Sequence, residues 1–183
     1  MTIGTAIAIA TAAVALIAAC GTMTPVMPSY SQAALPATVQ VPAGNKVALE
    51  TVGLGEITYQ CTAKKDTAGQ FEWVFVGPDA KLLDRSGKQI GKYYGPPATW
   101  EAMDGSKLTA VQLAVAPNMA GSIPLQLVKG NPAMGSGAMQ GVTYIQRVNT
   151  QGGVAPATPC TAANLSAKQI VKYQADYIFY KAV

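Results

Sequence analysis

From Ile57 to the C-terminus the chain alternates apolar and polar residues with a period of two. In ITYQCT (57–62), Ile57, Tyr59 and Cys61 fall on one face and Thr58, Gln60 and Thr62 on the other. FEWVFV (71–76) groups Phe71, Trp73 and Phe75. Its other face carries Glu72, Val74 and Val76, which predicts burial on both sides for part of that strand. KLTAVQLAV (107–115), PLQLV (124–128) and GVTYIQRVN (141–149) continue the pattern, and VKYQADYIFYKA (171–182) places Val171, Tyr173, Ala175, Tyr177 and Phe179 together. This period belongs to strands. GPDAK (77–81) reads as a turn, and RSGK as a hairpin between KLLD and KQIGKYY, with Gly87 free to take positive φ. Eighteen glycines and 12 prolines supply the breaks. About eight strands result, with one short helical turn near 161–168 and no parallel crossover. The fold expected is all-β: an antiparallel β-sandwich, with a closed β-barrel as the alternative.

At 183 residues the chain has the length of a single domain. The first 20 residues, MTIGTAIAIATAAVALIAAC, are uncharged and apolar and end in small residues. Ile17-Ala18-Ala19-Cys20 resembles a bacterial lipoprotein signal, in which small residues admit the peptidase and the cysteine thiol accepts the lipid. The start of the run lacks the usual Lys or Arg, so cleavage after Ser31-Gln32-Ala33 is a second possibility. An uncleaved transmembrane helix fits less well, because the run is rich in alanine and no stop-transfer charges flank it. The expected organisation is a signal at 1–20 ending in lipidation of Cys20, a flexible Pro-rich tether at 21–36, and one β-rich domain at 37–183. That reading implies an extracytoplasmic, lipid-anchored location on a membrane of the cell envelope. Removing Cys20 from the count leaves Cys61 and Cys160, which in an exported chain pair by default. The bridge would close a loop of roughly 100 residues, worth about 4–5 kcal/mol by chain entropy.

Charge excludes one class of partner. The chain carries 13 basic and nine acidic residues, a net +4, and only two of the bases are arginine. The basic residues are scattered, without the clustered face that nucleic-acid binding needs. The chain has no histidine at all. Ser-His-Asp and Cys-His catalysis, histidine metal sites and imidazole base chemistry are therefore excluded. No metal site or cofactor is expected. Six methionines (Met23, Met27, Met103, Met119, Met134 and Met139) are too irregularly spaced for a copper(I) site, and Asp79 and Asp84 lack a calcium loop around them.

GKYYGPPATWEAMDGSK (91–107) is where aromatic and acidic residues crowd together. Tyr93, Tyr94, Trp100 and Glu101 are the candidate ligand-binding residues, since aromatic rings could form a platform beside a carboxylate. Glu101 and Asp104 are the weak catalytic candidates, as a carboxylate pair for a carbohydrate hydrolase. The plainer reading is stronger: Asp104-Gly105 is a turn signal, Trp100 plugs the core, and the stretch is a rigid connector. Arg147 is expected either on the surface or in a buried pair with Glu101 or Glu72. GNPAMGSGAMQG (130–141) reads as a mobile loop, with a lid or partner-contact role as the functional alternative.

YQCTA (59–63), FEWVFVGPDAKLLD (71–84), TWEAMDGSK (99–107), VTYIQRVNTQGGVAP (142–156), PC (159–160) and ADYIFYKA (175–182) together resemble a family of exported bacterial and fungal proteins, the domain of unknown function 3455. The resemblance spans about Leu35 to Ala182. It implies an extracytoplasmic β-rich domain with no established reaction. The dehydrogenase label that some members carry finds no GxGxxG here to support it. Two function classes follow. One is an exported, lipid-anchored module that binds a protein, a polymer or a small ligand. The other is a small hydrolase using Glu101 and Asp104.

Overall fold

The computed structural model describes Met1 and residues 30–183. Cys20, the signal and residues 21–29 of the tether lie outside the described residues. Eight strands follow one another: β1 (Asn45–Ala63), β2 (Phe71–Leu83), β3 (Gln89–Tyr94), β4 (Thr99–Ala102), β5 (Lys107–Ala116), β6 (Leu125–Gly130), β7 (Val142–Gly152) and β8 (Lys168–Ala182). Each pairs antiparallel with its neighbours in sequence, and β8 returns to pair with β1 over most of its length, Asn45 opposite Ala182 through Gln60 opposite Lys168. The all-β, eight-strand expectation holds. Of the two arrangements, the hydrogen-bonded order closes into a barrel.

The period-two faces become the inside and outside of the wall. Tyr173, Ala175, Tyr177 and Phe179 of β8 point inward with Ile57 and Tyr59 of β1, Tyr93 of β3, Trp100 of β4 and Ile145 of β7. Gly53 of β1 makes room for this filling: a Cβ there would stand 2.5 Å from the Tyr177 ring. The interior is packed with aromatic side chains and is not an empty tube.

A second apolar cluster lies outside the wall. Ile178 and Tyr180 of β8, Val148 of β7 and Leu125 and Leu127 of β6 are covered there by Val39 and Val41, with Tyr30 and Leu35 against them. The covering strap is tied by amides: Gln32 donates to the Val41 carbonyl at 3.0 Å, and Gln146 donates to the Val39 carbonyl at 2.6 Å. Residues 30–36 are thus part of the folded body, and the tether reading does not describe them. Two-sided burial belongs to β8 at 175–180. FEWVFV is different, because Glu72, Val74 and Phe75 are exposed.

The GPDAK turn is absent. β2 runs straight through it, with Pro78 opposite Ile57. β3 pairs with β2 only from Asp79 onward, so at Pro78 that side of the strand is already open, a place where a residue without an N–H is tolerated. The helical turn near 161–168 is one 3-10 turn, Ala162–Asn164. Cys61 and Cys160 form a disulfide, with 5.5 Å between their Cα atoms, which fastens the β7–β8 connection to β1.

Candidate functional site

Residues 91–107 form two tight hairpins that share β4, β3–β4 and β4–β5; the first turns through Gly95-Pro96-Pro97, where both X-Pro bonds are cis. Because neighbours in a strand face opposite ways, the hairpins divide the expected platform between the two sides of the wall. Tyr93 and Trp100 are opposite one another and point inward. Their rings stack at 4.6 Å, and Trp100 is 2% exposed, with its indole N–H unpartnered among the described residues. Tyr94 and Glu101 point outward. The Tyr94 hydroxyl donates to Glu101 Oε2 at 2.7 Å, and Lys92 Nζ lies 3.3 Å from Oε1. The Tyr94 hydrogen bond and the Lys92 charge hold the Glu101 carboxyl below its ordinary value.

Asp104 does a different job. Its Oδ1 accepts from the Ser106 N–H at 2.9 Å and the Ser106 hydroxyl at 2.6 Å, and its Oδ2 accepts from the Ala138 N–H at 2.7 Å. These bonds, led by the Ser106 hydroxyl, lower its pKa. They also pin the 130–141 segment, where Met139 is buried and its N–H donates to Ser106 Oγ. That segment is therefore a fixed plug at the lower end of the barrel. Glu101 and Asp104 are both held as anions by separate partners. A hydrolase pair needs one carboxyl kept protonated to act as an acid, and this geometry supplies none. Asp84 likewise caps its own turn, accepting from the Ser86 and Lys88 N–H groups. Among the described residues no group of acids is arranged for a metal, and Met103, Met119 and Met134 are separately exposed.

The arrangement that can take a ligand lies at the other end. β4 is short and pairs with β5 only as far as Thr109, while β3 leaves β2 at Asp79. Beyond those points no strand among the described residues lies between β2 (71–78) and β5 (110–116), and the wall is notched there. Phe75 lies opposite Tyr59, 6.1 Å between rings in an edge-to-face contact, so it faces inward; yet it is 53% exposed. Val115 lies opposite Gln126, Gln126 opposite Arg147, and Arg147 opposite Tyr177, a row that crosses the inner surface. Val115 is 48% exposed. Tyr93, Trp100 and Tyr177 close the mouth below, and Tyr173 and Tyr177 share a hydroxyl contact of 3.2 Å.

Arg147 is the one cation on this inner row. Nε and Nη2 both donate to the Pro124 carbonyl, at 3.2 and 3.0 Å, and it has no carboxylate partner among the described residues. Neither the pair with Glu101 or Glu72 nor an ordinary surface position describes it. Burial raises the pKa of Tyr59, Tyr93, Tyr173 and Tyr177, and the Arg147 charge acts on all four in the opposite sense. The guanidinium field thus falls on the tyrosine cluster. The alternation in YIQRVN already put Arg147 on the face of Ile145; a lone arginine on an inward face was the readable signal.

No curated protein matches the chain. Among solved structures, a pterocarpan synthase dirigent protein is similar at 16% identity, covering 74% of this chain and 93% of its own, with a TM-score of 0.30. The model of the family described as a protein of unknown function, DUF3455, matches residues 42–181. The chain belongs to that family.

Proposed function

We propose that the protein is an exported binding domain, attached to the cell envelope by a lipid on Cys20, whose ligand enters the mouth of the barrel. The ligand has a planar or apolar body and an acidic group. One observation carries this reading: Arg147 has no carboxylate partner among the described residues, and it shares the inner face with Phe75, which the notch leaves exposed. An arginine fork pairs well with a carboxylate, and the exposed Phe75 and Val115 offer a surface for a ring. Glu101 and Asp104, both held as anions, support binding over hydrolysis. The apolar run ending at Cys20 and the Cys61–Cys160 bridge support export, since disulfides persist in oxidising compartments.

Titration of the isotope-labelled protein with 2-naphthoate tests the mouth. The reading expects shifts at Phe75, Tyr59 and Arg147, and weaker ones with methyl 2-naphthoate. Equal response to acid and ester, or none at these residues, contradicts it. Globomycin treatment or Cys20→Ala tests the anchor; an unchanged mature mass would refute lipidation.

A further inference from the structure

A second site, on the outer surface of the wall, is built around Asp176. Residues 174 and 176 of β8 face away from Tyr173, Ala175 and Tyr177, so this site is on the opposite side of the wall from the mouth. A cavity of about 610 Å³ opens there between the N-terminal strap, β7, β8 and the β5–β6 loop, within the range of small-ligand pockets. Asp176 is 6% exposed. Its Oδ2 accepts from Arg85 Nη1 and from Asn149 Nδ2, each at 2.9 Å. Its Oδ1 accepts nothing from the described residues, and the carboxylate lines the cavity. Asn149 is set by the irregularity between Val148 and Gln151 on β7, with φ at +49°, a backbone state that asparagine tolerates better than most residues. Gln151 and Gln174, opposite each other on β7 and β8, also line the cavity, and their amides make no hydrogen bond among the described residues.

We propose that this cavity binds a neutral, hydroxyl-rich ligand, a short saccharide. Arg85 bridges Glu50 and Asp176, 2.9 Å from each. Of these three charged groups only Arg85 and Asp176 line the cavity, and they neutralise each other, which favours neither an anion nor a cation. A hydroxyl both donates and accepts. It can give its proton to Asp176 Oδ1 while the glutamine amides donate to or accept from its neighbours. Leu35, Pro36 and Val52 present apolar surface to the C–H faces of a sugar ring.

Titrating the labelled full chain with maltose, cellobiose and N,N′-diacetylchitobiose tests the proposal. At least one is expected to shift the side-chain amides of Asn149, Gln151 and Gln174. The double variant Gln151→Ala/Gln174→Ala removes amides that support nothing in the fold, so its melting temperature should hold while affinity falls about tenfold or more. Arg147→Met, in the mouth, should leave sugar binding unchanged. Failure of all three sugars to shift these amides at tens of millimolar overturns the proposal, as does a response that survives the double variant or is lost with Arg147→Met.

Discussion

Tyr93 and Trp100 lie opposite one another on adjacent strands and stack inside the barrel, while their chain neighbours Tyr94 and Glu101 bond to each other outside it. A run of four candidate residues thus becomes two unrelated pairs. The inner pair closes the floor of the mouth, and the outer pair is a surface hydrogen bond whose carboxylate also pairs with Lys92.

Trp100 should matter through packing. Trp100→Ala opens a void under Tyr93 and Tyr177 and is expected to cost about 3–5 kcal/mol. Trp100→Phe keeps a stacking ring and removes a buried N–H that has no partner among the described residues, so it should cost under about 1.5 kcal/mol. Denaturant unfolding of both variants checks this; equal losses would contradict the plug.

Gly53 leaves no room for a methyl group against Tyr177. Gly53→Ala is expected to destabilise by about 1–3 kcal/mol through overpacking. A melting temperature equal to that of the parent protein would contradict the packing described.

Asp104 should act as a clamp. Asp104→Ala frees the Ala138 N–H and the Ser106 hydroxyl that supports Met139, so amide exchange at 138–139 should accelerate while β8 stays protected. The same carboxyl carries an acid dependence. Its folded pKa is lowered from 3.8, so its contribution is present above that value and is lost as the pH falls through the lower folded one. Asp104→Asn should flatten that part of the acid-unfolding curve. Unchanged exchange at 138–139 in Asp104→Ala would remove the clamp.

Alkaline titration has the opposite sign. Burial pushes Tyr30 up to about 12 and raises Tyr59, Tyr93, Tyr173, Tyr177 and Tyr180 above the ordinary value of 10.0. An acid raised in this way adds stability below pH 10, and that stability is lost as the pH climbs through the folded value. Tyrosinate absorbance should therefore appear late and together with unfolding. A gradual rise centred on pH 10 for most of the tyrosines would contradict the buried interior.

The strand faces were legible because a period of two needs only local sequence. Tyr173 to Phe179 and Ile57 to Cys61 lie where alternation put them. What escaped was set by partners far along the chain. Pro78 stays in a strand because β3 ends opposite Asp79. The strap at 30–41 covers β8 from outside, so both faces of 175–180 are buried, and nothing within FEWVFV reveals that its own outer face has no such cover. The candidate platform divides for a related reason: crowding in sequence is not crowding in space, because alternation assigns 93 and 94 to opposite sides. Asp104 forms the turn that Asp-Gly signals, while its hold on Ala138 depends on a loop 34 residues away.

The most direct test of the mouth is the affinity of the parent protein and of Arg147→Met for 2-naphthoate and its methyl ester, measured by calorimetry. The parent is expected to prefer the acid by about tenfold or more, equivalent to about 1.4 kcal/mol, and Arg147→Met to lose that preference while still binding the ester. An acid preference that persists without the guanidinium would contradict the account.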